Sequence, residues 1–225
     1  MIKKNDFVEL EFTGRVKDWE IFDTTKKEDA EKIGLKIENH PFIVCVGKEM
    51  VIKGLDNSLI NKEIGKHYEV ELEPKEAFQD RNSSLVKLMP LKMFSEKNIS
   101  PRAGMTLALD NMLVRIASVS GGRVLVDFNN PLSGKVVIYE YKIIRKIDSL
   151  EEKINSLLDY FVKKRLDFKI EGKRVEFSCE KIYLPFIKML NEKFKDALGV
   201  ELVLKEKENE VGIDNKKGSK KNDIL

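Results

Sequence analysis

Pro41-Phe42-Ile43-Val44-Cys45-Val46-Gly47-Lys48-Glu49-Met50-Val51-Ile52-Lys53-Gly54-Leu55 is the stretch on which the reading of the fold turns. Phe42 to Val46 is a compact apolar run closed by Gly47, the pattern of a buried strand. Leu55 and Leu59 then share one face of a short helix that Gly54 opens and Gly65 closes. On the N-terminal side Val8, Leu10 and Phe12 alternate with Glu9 and Glu11, the period of a half-buried strand, until Thr13-Gly14 breaks the alternation. On the C-terminal side Tyr68, Val70 and Leu72 alternate before Pro74. The long run Val136 to Ile147 places Val137, Tyr139, Tyr141 and Ile143 on one strand face.

Residues 85–132 have another texture. A broken apolar stretch from Leu85 to Pro90 leads to Met93-Phe94. Strands at Met105–Leu109, Leu113–Val119 and Val124–Phe128 follow, separated by the turns Asp110-Asn111 and Gly121-Gly122. This meander is expected to fold on itself. After Ser149, a helix cap with Glu152 at the capping-box offset, come a helix carrying Leu150, Ile154, Leu157, Leu158, Phe161 and Val162 and a hairpin at Glu171-Gly172. A second helix with Phe186, Met189, Leu190, Phe194 and Leu198 stops at Gly199, and a last strand holds Val200, Leu202 and Leu204. The domains are therefore expected at 1–84 with 133–149, at 85–132 and at 150–205, with a charged, disordered tail over 206–225.

Charged residues make up 35% of the 225, but 41 basic and 38 acidic side chains nearly cancel, so nucleic acid is not an expected partner. Such a surface suits life at high temperature. Two cysteines do not make a disulfide scaffold, and Met1-Ile2-Lys3-Lys4 runs into a strand pattern rather than an apolar leader. No apolar run approaches the roughly 20 residues of a membrane span. A cytoplasmic protein with no membrane partner is expected.

The chain has no Gly-rich phosphate loop ending in Gly-Lys-Ser/Thr, no His-Glu-x-x-His and no Cys-x-x-Cys, and His40 and His67 are its only histidines. A metal site or a Ser-His-Asp site is not expected. What remains is an aromatic and aliphatic set drawn from six segments: Phe12, Phe22, Phe42, Val51, Ile52, Leu55, Phe78 and Tyr139, with Asp23 as the one acid among them. Such a set reads either as an apolar pocket with one polar group or as ordinary core.

The spelling of these segments separates the two readings. Pro41 to Leu55 closely resembles the pocket strand and helix entry of FKBP-type prolyl isomerases, and Phe12-Thr13-Gly14 with Phe22-Asp23-Thr24 resembles that family's first hairpin. Ala77-Phe78 stands where the family usually has Ala-Tyr. Asn129-Asn130-Pro131-Leu132-Ser133-Gly134-Lys135 resembles the Asn-His-Pro-Leu-Ala-Gly-Lys signature of the SlyD-like branch. The likeness covers roughly residues 1–149 and extends to the long archaeal members, which add a C-terminal domain.

The resemblance implies an α+β fold: an antiparallel half-barrel sheet around a short helix, an inserted β-rich insert-in-flap domain and a C-terminal α/β domain. It implies peptidyl-prolyl cis-trans isomerase activity without a cofactor. Asp23, Tyr139 and Phe78 would act in catalysis. Phe12, Phe22, Phe42, Val51, Ile52 and Leu55 would bind substrate, with the Ile52 N–H holding a carbonyl. Residues 85–132 would bind unfolded, proline-containing chains through Leu88, Met89, Met93, Phe94, Met105 and Met112. Phe12 and Phe78 depart from the family's tyrosines, Leu55 replaces the Trp floor of short members, and the His-rich metal-binding tail is absent. The rival reading is a holdase chaperone with an unused pocket. A third makes residues 150–205 a homodimer platform, unless their stripes pack within the chain.

Overall fold

The computed structural model describes residues 1–206 apart from 18–19, 37–39, 110–111 and 180. The chain divides into two compact units, Met1–Ser156 and residue 157 onward.

In the first unit, β1 (Phe7–Val16) is central. It pairs antiparallel with β2 (Ile21–Thr24), with β3 (Ile43–Cys45) and with β9 (Val137–Ile147), and β4 (His67–Leu72) flanks β9. The helices α1 (Lys27–Lys32) and α2 (Lys53–Ser58) are short. The fold is α+β with an antiparallel sheet around a short helix, as expected. Val8, Leu10, Phe12, Val137, Tyr139, Tyr141 and Ile143 are all buried, as apolar residues of alternating strands should be.

The alternation breaks at Thr13-Gly14 as read, with Phe12, Thr13 and Gly14 all buried, while β1 itself runs on to Val16 and its register with β2 shifts between Gly14 and Arg15. A β-bulge there absorbs the irregularity that the alternation signalled. Helix α2 ends at Ser58, well before Gly65, whose φ of 83° instead serves the turn into β4.

Between β4 and β9 lies a separate four-stranded sheet in the order β5 (Val86–Pro90), β8 (Arg123–Asp127), β7 (Met112–Ser120), β6 (Thr106–Leu109), with α3 (Leu91–Ser95) after β5. The expected turn Asp110-Asn111 lies outside the described residues. The sheet has its own core of Phe94, Leu109, Val114, Ile116, Val124 and Val126. Phe94 was expected on the binding surface; it is 2% exposed. With Leu91 it is laid by α3 on the core of this small sheet, where water is excluded from it. Met89 is half-buried against the same core.

Helix α4 (Leu150–Phe161) starts with the Ser149 cap: the Glu152 N–H donates to Ser149 Oγ at 3.4 Å. The Glu152 carboxylate does not close a capping box, because it pairs with Arg145 at 2.6 Å. In the second unit, β10 (Asp167–Glu171), β11 (Arg174–Cys179) and β12 (Glu201–Glu206) form a sheet in which β11 and β12 run parallel, joined by α5 (Leu184–Leu198). Gly199 ends α5 at φ 65°, ψ 23°. The apolar stripe read along α5 divides: Leu190 and Phe194 are buried, joined by Ile187, which was not read as part of it, whereas Phe186 and Met189 are exposed, as is Ile182 before the helix. Spacings of three and four residues keep Ile187, Leu190 and Phe194 on one face, and Phe186 and Met189 each fall one position off it. The tail expected over 206–225 lies, past Glu206, outside the described residues.

Candidate functional site

Five rings from five segments meet at one end of the first sheet. Tyr139 on β9 lies 5.7 Å from Phe12 on β1 and 5.8 Å from Phe22 on β2, centroid to centroid. Phe12 meets Phe42 edge-on at 5.5 Å, and Phe22 meets Phe78 edge-on at 5.6 Å. Edge-to-face contacts at these separations are the favoured aromatic geometry. The cluster has a floor and a rim. Phe12, Leu55 and Tyr139 are buried, Phe22, Asp23, Val51, Ile52 and Phe78 are half-buried, and Phe42 is 38% exposed. Side chains grade from buried to exposed across this apolar recess, so it is not a sealed interior.

Strand register explains how the pieces converge. Gly14 is the Cα partner of Asp23 on one side and of Tyr139 on the other. Directly paired residues share a sheet face, so the three form one row across β2, β1 and β9. With no side chain at its middle, the row leaves a gap, and the Tyr139 ring fills it. A Cβ on Gly14 would fall 2.8 Å from Tyr139 Cε1 and 3.0 Å from Phe22 Cζ. The ring therefore reaches across β1 toward β2 and Asp23.

Electrostatics follow from this placement. Burial lifts the Asp23 carboxyl above its ordinary value, against a backbone hydrogen bond from Thr24. Burial also raises the Tyr139 hydroxyl, and the nearby Asp23 charge raises it further. Tyr139 thus stays a neutral hydroxyl, close to the one acid of the recess.

The helix entry is built by a residue that reading along the chain missed. Asp56, 2% exposed, accepts the Gly47 N–H through Oδ1 and the Glu49 N–H through Oδ2, both at 2.8 Å. These bonds hold a turn in which Gly47 has φ 81° and Glu49 φ 53°, so Val51 and Ile52 arrive in a set position. Ile52 caps α2 in an extended conformation, and among the described residues its N–H has no acceptor within the chain. Unpaired N–H groups at a helix start are free to receive a ligand carbonyl. Gly54 lets α2 sit tight on the segment leading to Phe78, since a Cβ there would meet Leu72 Cδ2 at 2.5 Å and Glu76 O at 3.0 Å. The only sign of Asp56 in the sequence is an acid in the first turn of a helix.

Other features carry less. A polar hollow of about 240 Å³ is lined by Glu11, Lys26, Glu140 and Lys142 among others, and by none of the recess residues; charged walls do not suit an apolar amide. Among the described residues, no cluster of His, Cys, Asp and Glu could hold a metal ion. No described helix is long and apolar enough to cross a membrane. On the insert, Leu88, Met93, Met105 and Met112 are exposed, and Leu113, which was not expected there, is 57% exposed beside them in sequence.

Comparison with known proteins bears on the same segments. A family model described as "FKBP-type peptidyl-prolyl cis-trans isomerase" matches residues 1–97, and one described as "FKBP26, IF domain" matches residues 87–132. The short-type peptidyl-prolyl cis-trans isomerase of Methanocaldococcus jannaschii is 27% identical over 146 residues, covering 64% of this chain and 92% of that protein. The FKBP-type isomerase SlyD of Helicobacter pylori is 25% identical over 138 residues, 59% of this chain and 74% of that protein. The FKBP-type 16 kDa isomerase of Escherichia coli is 23% identical over 155 residues, 67% of this chain and 97% of that protein.

Proposed function

This chain carries an FKBP-type peptidyl-prolyl cis-trans isomerase domain, and from that premise we propose that its aromatic recess accelerates Xaa-Pro isomerisation in folding polypeptides while its insert holds unfolded chain. The observation that carries the reading is the apolar recess itself, with its buried floor of Phe12, Leu55 and Tyr139, its half-buried rim, and an unengaged Ile52 N–H at its edge.

The chemistry asks for little else. Rotation about the peptide bond faces a barrier of roughly 18–20 kcal/mol because amide resonance is lost in the twisted state. Uncatalysed exchange at proline takes on the order of 10–100 s. The planar amide carries more charge separation than the twisted one, so water favours the planar form and an apolar recess withdraws that advantage. A site that binds the twisted bond better than the flat one lowers the barrier. No proton has to pass between protein and substrate. Phe42 and Tyr139 would clasp the proline ring, Phe22 and Phe78 would wall the recess, Val51 would line its edge, and the Ile52 N–H would hold the chain's carbonyl. Asp23 and the Tyr139 hydroxyl would face the rotating carbonyl.

The isomerase domain would comprise 1–84 and 133–149, the insert 85–132 and the C-terminal domain 150–205. Leu88, Met93, Met105 and Met112 on the insert would take up client chains, since flexible thioethers adapt to many apolar sequences. The cytoplasm is the compartment proposed, with neither nucleic acid nor membrane as partner. A homodimer through the C-terminal domain is a further reading, motivated by the exposed Ile182, Phe186 and Met189; sedimentation with and without residues 150–205 tests it.

A protease-coupled assay on an Xaa-Pro tetrapeptide tests the isomerase reading. Acceleration above background is expected. A protein that suppresses aggregation without any such acceleration is the rival holdase, the reading that the hydroxyl-free Phe12 and Phe78 favour.

A further inference from the structure

We propose that Asn129 is a positioning residue for catalysis on protein chains, buckling the insert to the isomerase sheet so that a client held on one is presented to the recess of the other. The proposal rests on the reading above and adds a residue outside the recess.

The chain leaves the isomerase sheet after Leu72, passes Phe78, and returns through Asn129 and Lys135 to Val137. Where the outgoing and returning segments pass each other, the Asn129 side chain acts as a peptide group would. Its Oδ1 accepts the Asn82 N–H at 2.8 Å, and its Nδ2 donates to Asn82 O at 3.0 Å. One side-chain amide thereby makes a complete ladder rung across 47 positions of sequence. The same Nδ2 donates to Asp127 Oδ1 at 2.7 Å, and Asp127 Oδ2 pairs with Arg81 on the outgoing segment. Backbone bonds continue the line in both directions, from Phe128 N to Leu85 O and from Gly134 N to Gln79 O. At the recess end the Ser133 hydroxyl donates to the carbonyl of Phe78 at 2.9 Å, so the rim ring sits on the fastened segment.

Both Asn129 and Asp127 are 8% exposed, so each polar atom is tied up and the neck has one well-satisfied arrangement rather than many loose ones. The bodies it joins do not depend on it. The insert has its own apolar core, and the recess is assembled by ring contacts among β1, β2 and β9. Loosening the neck leaves two folded parts on a floppier tether, which lowers the effective concentration of a captured chain at the recess.

Full-length Asn129→Ala is compared with wild type on an Xaa-Pro tetrapeptide and on a protein whose refolding is limited by a prolyl bond. Catalysis of the tetrapeptide and suppression of aggregation are expected to stay unchanged. Catalysis of the refolding protein is expected to fall by about tenfold, less than the roughly hundredfold or more that tethering can supply, because the tether is loosened rather than cut. Amide exchange at Asn82 should quicken while the β7–β8 amides stay protected. Arg81→Ala, a milder change at an exposed side chain, should move refolding the same way by less, and it carries the test if Asn129→Ala fails to fold. Refolding catalysis as fast as wild type in both variants overturns the proposal. So does loss of aggregation suppression in step with refolding, which would mark a merely structural role. A wild type inactive on the tetrapeptide overturns the isomerase reading and this one with it.

Discussion

The ring of Tyr139 occupies the space that a side chain on Gly14 would need: a Cβ there would lie 2.8 Å from Tyr139 Cε1 and 2.9 Å from Cζ. The two are paired on adjacent strands, so the missing side chain on β1 is what lets the β9 ring cross toward Asp23.

Gly14→Ala is therefore expected to displace Tyr139 and damage the recess. Overpacking of this kind costs roughly 1–3 kcal/mol. Urea unfolding should reveal the loss, and kcat/KM on a tetrapeptide should fall further than the destabilisation explains. Wild-type kinetics in this variant would mean that the ring's position does not matter.

Asp23 sets a pH dependence. Its folded pKa is raised above the usual 3.8 by burial, so the protein holds this proton more tightly than the unfolded chain does. The associated stability is fully present below the unfolded pKa and is lost as pH rises through the folded value. Asp23→Asn should remove this loss and be more stable than wild type at neutral pH in denaturant titrations. If the ionised form serves the reaction, tetrapeptide turnover in wild type should rise as the pH passes the raised Asp23 pKa. Asp23→Leu should lower turnover with the fold intact, and unchanged kinetics would remove Asp23 from the mechanism.

Asp56 is expected to matter although it touches no substrate. Asp56→Ala would leave the Gly47 and Glu49 N–H groups without their acceptor; both bonds are part-buried, so the cost is expected near the lower end of the range for an unpaired polar group, about 1 kcal/mol each. Thermal unfolding should drop by several degrees, and KM should rise as Val51 and Ile52 lose their set position. An unchanged melting temperature would show that water replaces the carboxylate.

The insert offers a contrast between a core and a surface residue. Phe94→Ala should cost about 3–5 kcal/mol, the usual range for removing a buried aromatic ring, and unfold the insert with loss of aggregation suppression. Leu88→Ser with Met112→Ser, at positions 56% and 51% exposed, should weaken aggregation suppression at nearly unchanged stability. Equal stability losses in both variants would contradict the division into core and surface. Tetrapeptide turnover is the control that both should leave untouched.

Periodicity along the chain determined the strands Val8 to Phe12, Tyr68 to Leu72 and Val137 to Ile147 and the meander of the insert, while the resemblance of particular segments to a known family pointed to the aromatic set. Alternation and turn residues act over a few positions, so they are written where they act. The tertiary structure alone decided which side of an apolar segment meets water and which distant groups pair. Phe94 and Met93 are neighbours in sequence, yet one is core and the other surface; Gly14 reads along the chain only as part of a break in alternation and is the gap through which Tyr139 reaches. Asp56 is an unremarkable polar letter, and Asn129 only the first residue of a signature, until the path of the chain brings their partners to them. Burial and hydrogen bonding depend on what lies across the fold from a residue, and that neighbour is set by the whole chain rather than by the residues on either side.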